Sequence, residues 1–160
     1  MKRTFVIPLV MIGAFLIAAP AATGGQMMEG HKIVAPDAVK WGPAPAALPA
    51  GAEVAVLYGD PGKDGQFAMR IKLPQGYSVP PHSHPKPEVV TVISGVFKLG
   101  MGETADAKRA QPLAAGSFAA LEPGTAHFVF SDEVTVIQIN SVGPWGIDYV
   151  NKADDPRATQ

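Results

Sequence analysis

The stretch GYSVPPHSHPKPEVVTVISG, residues 76–95, is the most informative part of this chain, because it concentrates candidate metal ligands. His82, His84 and Glu88 fall within seven residues, although the whole chain of 160 residues contains only four histidines. In an extended strand, side chains two residues apart point to the same face, so both imidazoles are close enough to share one ion. The surrounding prolines cannot donate to a β-ladder, which favours an edge or bent strand. Taken alone, the pair is equally compatible with two exposed loop histidines.

A further candidate ligand is His127, which follows a Pro-Gly turn and begins the apolar run HFVFS. Two neutral imidazoles and a carboxylate form a donor set that suits Mn, Fe, Ni, Cu or Zn, and His127 would add a fourth ligand. Considered alone, His127 is equally well interpreted as a hydrogen-bonded core histidine.

Short runs rich in β-branched and aromatic residues recur along the chain, separated by Gly, Pro and Asp. Such runs are typical of strands, and their spacing predicts an all-β sandwich or barrel. One run alternates cleanly, with its apolar residues on one face and Ala68, Arg70 and Lys72 on the other. The runs are EVAVLY, QFAMRIKL, EVVTVIS, VFKLGM, AHFVFS and VTVIQIN.

Two spaced patterns in this region resemble the motifs of the cupins. The first cupin motif, G(X)5HXH(X)3,4E(X)6G, matches at every fixed position. The second, G(X)5PXG(X)2H(X)3N, matches at its glycines and histidine, but Glu122 stands where proline is expected and Ser131 replaces the final asparagine. These departures concern the local turn and its hydrogen bonds, and they leave the ligand position intact. The matching residues are Gly76, His82, His84, Glu88, Gly95, Gly116, Gly124 and His127.

The resemblance covers roughly residues 53–140 and implies an antiparallel jelly-roll (cupin) barrel, a single domain with an extended N-terminal arm. It also implies that His127 lies beside His82, His84 and Glu88, so that these four residues hold one divalent metal ion (Mn, Fe, Zn, Ni or Cu). Sequence spacing alone does not bring His127 to the other three residues.

A six-coordinate metal held by three imidazoles and one carboxylate keeps two positions open for water or substrate. A closed structural zinc site is disfavoured, because such sites usually recruit cysteine and this chain has none. Alternation along the HFVFS run places Val129 toward the site, with Phe128 and Phe130 on the opposite face. Phe97 and Phe118 are expected to fill the barrel or its rim.

Two classes of function fit this site. The first is an exported metalloenzyme, an oxygenase or related oxidoreductase acting on a small organic molecule, which the complete ligand set slightly favours. The alternative is a non-catalytic small-molecule-binding or sensory cupin, and cupins host many unrelated chemistries. No cluster of Arg or Lys accompanies the motifs, which disfavours a phosphorylated substrate. The balance of 13 basic and 14 acidic residues disfavours nucleic acid as a partner.

The ends of the chain predict where the protein is found. Lys2 and Arg3, a short apolar run and an A-x-A site ending at Ala21 predict a secretory signal peptide. Its removal would leave no membrane anchor and a periplasmic or secreted protein. The expected organisation is a signal peptide (1–21), a Pro/Ala-rich arm (22–50), a cupin domain (51–150) and a polar tail (151–160).

Near the C-terminus, Trp145 and Tyr149 indicate a closing lid or edge strand, with a homodimer contact as the alternative.

Overall fold

The computed structural model describes residues 31–159, and these residues form eleven β-strands and three short 3-10 turns. The predicted signal peptide, residues 1–21, lies outside the described residues, and so does the start of the arm. No helix within residues 31–159 has the length and apolar character needed to cross a membrane. The strands are β1 (Gly42–Pro43), β2 (Glu53–Tyr58), β3 (Gly65–Leu73), β4 (Tyr77–Ser83), β5 (Glu88–Ser94), β6 (Val96–Met101), β7 (Gln111–Ala114), β8 (Phe118–Leu121), β9 (His127–Ser131), β10 (Thr135–Gly143) and β11 (Asp148–Tyr149).

The strands pair into two antiparallel sheets that enclose one core. The six-stranded sheet has the order β1-β2-β3-β10-β5-β8, and the five-stranded sheet has the order β11-β4-β9-β6-β7. The interleaving of early and late strands in both sheets is that of a jelly-roll barrel, which confirms the predicted fold class.

The pattern of β3 shows why the sheets pack face to face. Its alternate residues Phe67, Met69, Ile71 and Leu73 are all buried, while the residues between them are only half-buried. A strand with one apolar face is stable only when that face is covered, and the five-stranded sheet provides the cover. On the outer face, the Arg70 guanidinium donates a hydrogen bond to Gln138 on the neighbouring strand, 3.2 Å away.

Two aromatic residues that the sequence assigned to the same role have different surroundings. Phe97 is buried in the core, as expected. Phe118 is 64% exposed, so its assignment to the barrel interior or rim was wrong. It pairs with Thr91 on the outer row of the six-stranded sheet, and the short β8 has no further strand beyond it.

The departure from the second cupin motif at Ser131 has a local explanation. The Ser131 hydroxyl donates to the carbonyl oxygen of Glu133, 2.5 Å away, and Thr135 Oγ1 donates to the carbonyl of Val96 at 3.1 Å. The Ser131 hydroxyl thus bonds within the turn between β9 and β10 without an asparagine, and the Thr135 hydroxyl joins the end of that turn to the start of β6. Gly95 lies against the same turn with φ 76°, and a Cβ there would come within 2.6 Å of Thr135 Oγ1.

The described part of the arm closes one side of the barrel. Its β1 pairs with β2 at the edge of the six-stranded sheet, while β11 and β4 form the edge of the other sheet. Tyr77 on β4 donates a hydrogen bond to the carbonyl of Pro49 (2.6 Å), and Tyr149 on β11 donates to the carbonyl of Ala47 (2.7 Å). Between these two anchors, the side chain of Leu48 packs into the core. The arm therefore joins the two sheet edges.

Candidate metal centre

Strands from both sheets, β4 and β9 from one and β5 from the other, bring the four predicted ligands together inside the barrel. His82 lies on β4 directly opposite His127 on β9, and Glu88 begins β5. His84 follows the end of β4, so the bent-strand interpretation is correct and the regular strand ends at Ser83. A shift in the β4–β9 register between Val79 and His82 accompanies this bend. All four residues are at most 5% exposed.

The geometry of the three imidazoles fits a shared ion. One ring nitrogen from each of His82, His84 and His127 lies within 4.8 Å of the corresponding nitrogen of the other two. Glu88 adjoins two of these rings, with its Oε1 3.3 Å from His84 Nε2 and its Oε2 3.6 Å from His127 Nε2. Three buried histidines could therefore hold a metal ion, and a carboxylate lies beside them.

The backbone fixes which nitrogen of each ring is available. Nδ1 of His82 lies 2.7 Å from the Pro80 carbonyl oxygen, and Nδ1 of His127 lies 3.0 Å from that of Thr125. His84 Nδ1 lies 2.6 Å from the carbonyl oxygen of Gly146. A carbonyl can only accept, so each Nδ1 carries a proton, and the lone pair of a neutral ring is then on Nε2. Backbone hydrogen bonds to the outer nitrogen are the usual support of metal-ligating histidines.

The electrostatics of the cluster favour a cation at its centre. Burial, and then the neighbouring His127, lower the pKa of His82 to about 3, and burial also lowers the pKa of His127. Burial disfavours the charged form of His84 as well, but the hydrogen bond and charge of Glu88 outweigh it and raise the pKa of His84. The same pairing outweighs the burial of Glu88 and lowers the pKa of that carboxyl. A positive charge beside the buried Glu88 carboxylate is therefore favourable, and a divalent ion could supply it.

The space inside the cluster is small and apolar. The cavity that touches all four residues has a volume of about 30 Å³, enough for about two water molecules. Beyond the four polar side chains its walls are hydrocarbon. The apolar lining residues are Leu48, Ile71, Leu73, Val79, Val90, Phe97, Leu99, Val129, Ile137, Ile139 and Ile147. Val129 lines the cavity as the alternation predicted, and the rings of Phe128 and Phe130 pack against each other at 5.8 Å.

The C-terminal segment supplies contacts that the motifs did not predict. The Trp145 ring stacks on His84 with 5.4 Å between ring centroids, and the Tyr149 ring lies 5.9 Å from that of His82. Gly146 provides the carbonyl for His84 Nδ1. Asp148 and Tyr149 form the edge strand β11, as one interpretation of this segment expected. Its aromatic residues were visible in the sequence, but nothing in their spacing connected them to the histidines.

The fold and this site together define a cupin. Residues 29–144 match the ChrR cupin-like domain family, so the chain belongs to that family. No curated protein sequence matches the chain significantly.

Solved structures with a similar fold share little sequence with this chain. The polyketide cyclase RemF from Streptomyces resistomycificus aligns with a TM-score of 0.63 and 20% identity, covering 79% of this chain and 89% of RemF. A candidate acetylacetone dioxygenase from Methylibium petroleiphilum aligns with a TM-score of 0.60 and 20% identity, covering 82% of this chain and 88% of the other. KdgF from a Halomonas species aligns at 0.54 with 17% identity, over 71% and 94% of the two chains. At these identities the likeness concerns the fold.

Proposed function

We propose that this protein is an exported, metal-dependent cupin oxidoreductase of the oxygenase type that acts on a small, largely apolar organic molecule. One observation carries the proposal. Three imidazoles with Nδ1 committed to backbone carbonyls, and one carboxylate, converge in a buried apolar cavity. This donor set suits a first-row divalent metal and, unlike a closed cysteine site, leaves coordination positions open.

The roles of the residues follow from these contacts. His82, His84, His127 and Glu88 would hold one divalent ion, with Glu88 as the only anionic ligand. A redox-active ion bound there would supply Lewis acidity and an electron route to dioxygen. The hydrocarbon walls leave room for about two water molecules and strengthen electrostatic interactions at the centre.

The lining also limits the substrate class. Apart from the four candidate ligands, every residue that lines the cavity is apolar. A substrate could therefore make its polar contacts only at the metal centre, so we expect one oxygen-bearing end and a compact apolar body. Compact diketones and phenols meet this description, and the candidate acetylacetone dioxygenase among the fold relatives makes β-diketones a sensible first class to screen.

Oxygen consumption tests the enzyme proposal. Protein loaded with iron, manganese or copper should consume dioxygen with a diketone, phenol or carboxylate from such a screen, while zinc-loaded protein should not, because zinc has no redox chemistry. E88Q removes the anionic ligand with little change in shape and should abolish activity at modest metal excess. E122Q makes the same chemical change at an exposed position and should leave activity unchanged. Absence of turnover with every redox metal would reject the enzyme proposal.

A non-catalytic binding or sensory cupin is the second candidate, because the same cluster of histidines could hold an ion and a ligand without turnover. The cavity of about 30 Å³ holds neither a substrate nor an organic ligand unless the surrounding segments move. A small molecule that raises the thermal midpoint of metal-loaded protein without turnover would support this second function.

Export is part of the proposal and has its own test. Cleavage close to Ala21 should give a mature N-terminus at or near Ala22, which mass spectrometry of the exported protein would detect. An exported protein that retains Met1 would contradict cleavage.

A further inference from the structure

The candidate metal centre is buried and has little free space, so an organic ligand can reach it only if part of the wall moves. The four polar residues are at most 5% exposed, and the cavity volume is about 30 Å³. Two segments near the chain ends contribute to this wall: residues 47–49 of the arm through Leu48, and residues 145–149 of the C-terminal segment through Ile147. Their attachments differ.

The C-terminal segment is tied to the centre itself. Gly146 accepts a hydrogen bond from His84, and the backbone of β11 pairs with β4 at His82. The Arg157 guanidinium holds the Ile147 carbonyl at 2.9 Å. Moving this segment would disturb two of the candidate ligands.

The described part of the arm, residues 31–50, makes none of these contacts with the candidate ligands. Its residues 47–49 are anchored to the five-stranded sheet through two hydroxyl groups, those of Tyr77 and Tyr149. Between the anchored carbonyls, Leu48 is 7% exposed and its side chain forms part of the cavity wall. Releasing these two hydrogen bonds would leave the Leu48 side chain held by its apolar packing in the core, and would break no hydrogen bond of an imidazole.

We propose that residues 47–49 form a gate that must move before a ligand reaches the metal centre. In the closed position the Leu48 side chain blocks access, and the hydrogen bonds from Tyr77 and Tyr149, which we call the latches, hold these residues in place. This inference rests on the proposed metal centre, and it deepens the proposed function by naming the residues that control entry. Leu48 then occupies space that the apolar body of a ligand would need.

The rate of zinc release tests the gate, because a bound ion leaves only when the site opens. Zinc-loaded protein is mixed with excess EDTA, and free zinc is followed with time. Y77F and Y149F each remove one latch and should accelerate release about three- to tenfold, the range expected for loss of one hydrogen bond. The double variant should show the product of the two effects. Y77F is the more informative single change, because the Tyr149 ring also lies near His82.

The chain provides matched controls. Y58F alters the third tyrosine, which is 58% exposed, and should release zinc at the wild-type rate. L48A should accelerate release at least as much as either latch variant. L113A truncates a leucine that packs on the core without lining the cavity, so it controls for general destabilisation. Release through the gate should depend little on low urea concentrations, whereas release by global unfolding rises steeply with urea.

The outcomes separate the gate from the metal centre. Wild-type protein that retains no zinc would reject the metal centre and the gate together. Protein that retains zinc and releases it at the same rate in Y77F, L48A and wild type would reject the gate alone. Acceleration in R157A with no change in Y77F would also reject it, by assigning opening to the C-terminal segment.

Discussion

Replacing Gly100 by alanine should damage both the fold and the metal centre, because a glycine there makes room for a buried ring. Gly100 on β6 lies directly opposite Phe128 on β9, the residue that follows His127. A Cβ at Gly100 would lie 2.0 Å from Cε2 and 2.1 Å from Cζ of the Phe128 ring. Phe128 has no exposed surface, so the ring cannot move aside into solvent.

The magnitude follows from this overlap. Overpacking a closed core typically costs about 1–3 kcal/mol, and an overlap of a full carbon places G100A near the upper end. With a urea m value of about 2 kcal/mol/M, the unfolding midpoint should fall by about 1–1.5 M. Zinc affinity should fall as well, because strain on Phe128 acts on the backbone of His127.

Urea unfolding followed by circular dichroism measures the effect, and two further variants locate its cause. A leucine at position 128 does not fill the volume of the ring, so G100A should cost less than half as much in an F128L background. G42A adds a Cβ with no atom within 4 Å and should change stability by less than about 0.5 kcal/mol. An unchanged midpoint in G100A, or an equal loss with and without Phe128, would refute this reasoning.

Two further predictions concern the histidines. His82 is neutral when folded, with a pKa of about 3, and its unfolded value is near 6.5. Unfolding therefore takes up a proton at His82 below about pH 6.5, so metal-free protein should lose stability as the pH falls from there toward pH 3, with a slope from His82 on the order of 1 kcal/mol for each pH unit. H82Q should flatten this slope, and an equal slope in H82Q would contradict the assignment. Copper or nickel should quench Trp145 fluorescence through its stack on His84. W41F should keep the response and W145F should lose it; a response in W145F would place the ion elsewhere.

The parts of the structure that the sequence predicted are those encoded by local patterns. β2 and β5 coincide with the runs EVAVLY and EVVTVIS. Alternation and β-branched residues within one short run are enough to indicate a strand. The meeting of His127 with His82 depends on the pairing of β4 with β9, which only the resemblance to cupins implied.

The remaining features depend on distant contacts that no local pattern records. Tyr149 reaches Ala47 across 102 residues of chain, and His84 reaches Gly146 across 62. Each contact uses a backbone carbonyl, which every residue carries, so the sequence contains no signal for the partner. Phe118 was placed wrongly because an aromatic residue in a strand can face either side of the sheet. The sequence around Phe118 did not determine which side of its sheet is covered.

Zinc stoichiometry and affinity in histidine variants test the central claim most directly. Wild-type protein should bind one equivalent of zinc, and H31A should do the same, because His31 is exposed and outside the cluster. H127A should lose at least about 100-fold in affinity, more than is typical for loss of an outer-shell partner. Full occupancy of H127A with unchanged affinity would contradict a metal centre formed by His82, His84, Glu88 and His127.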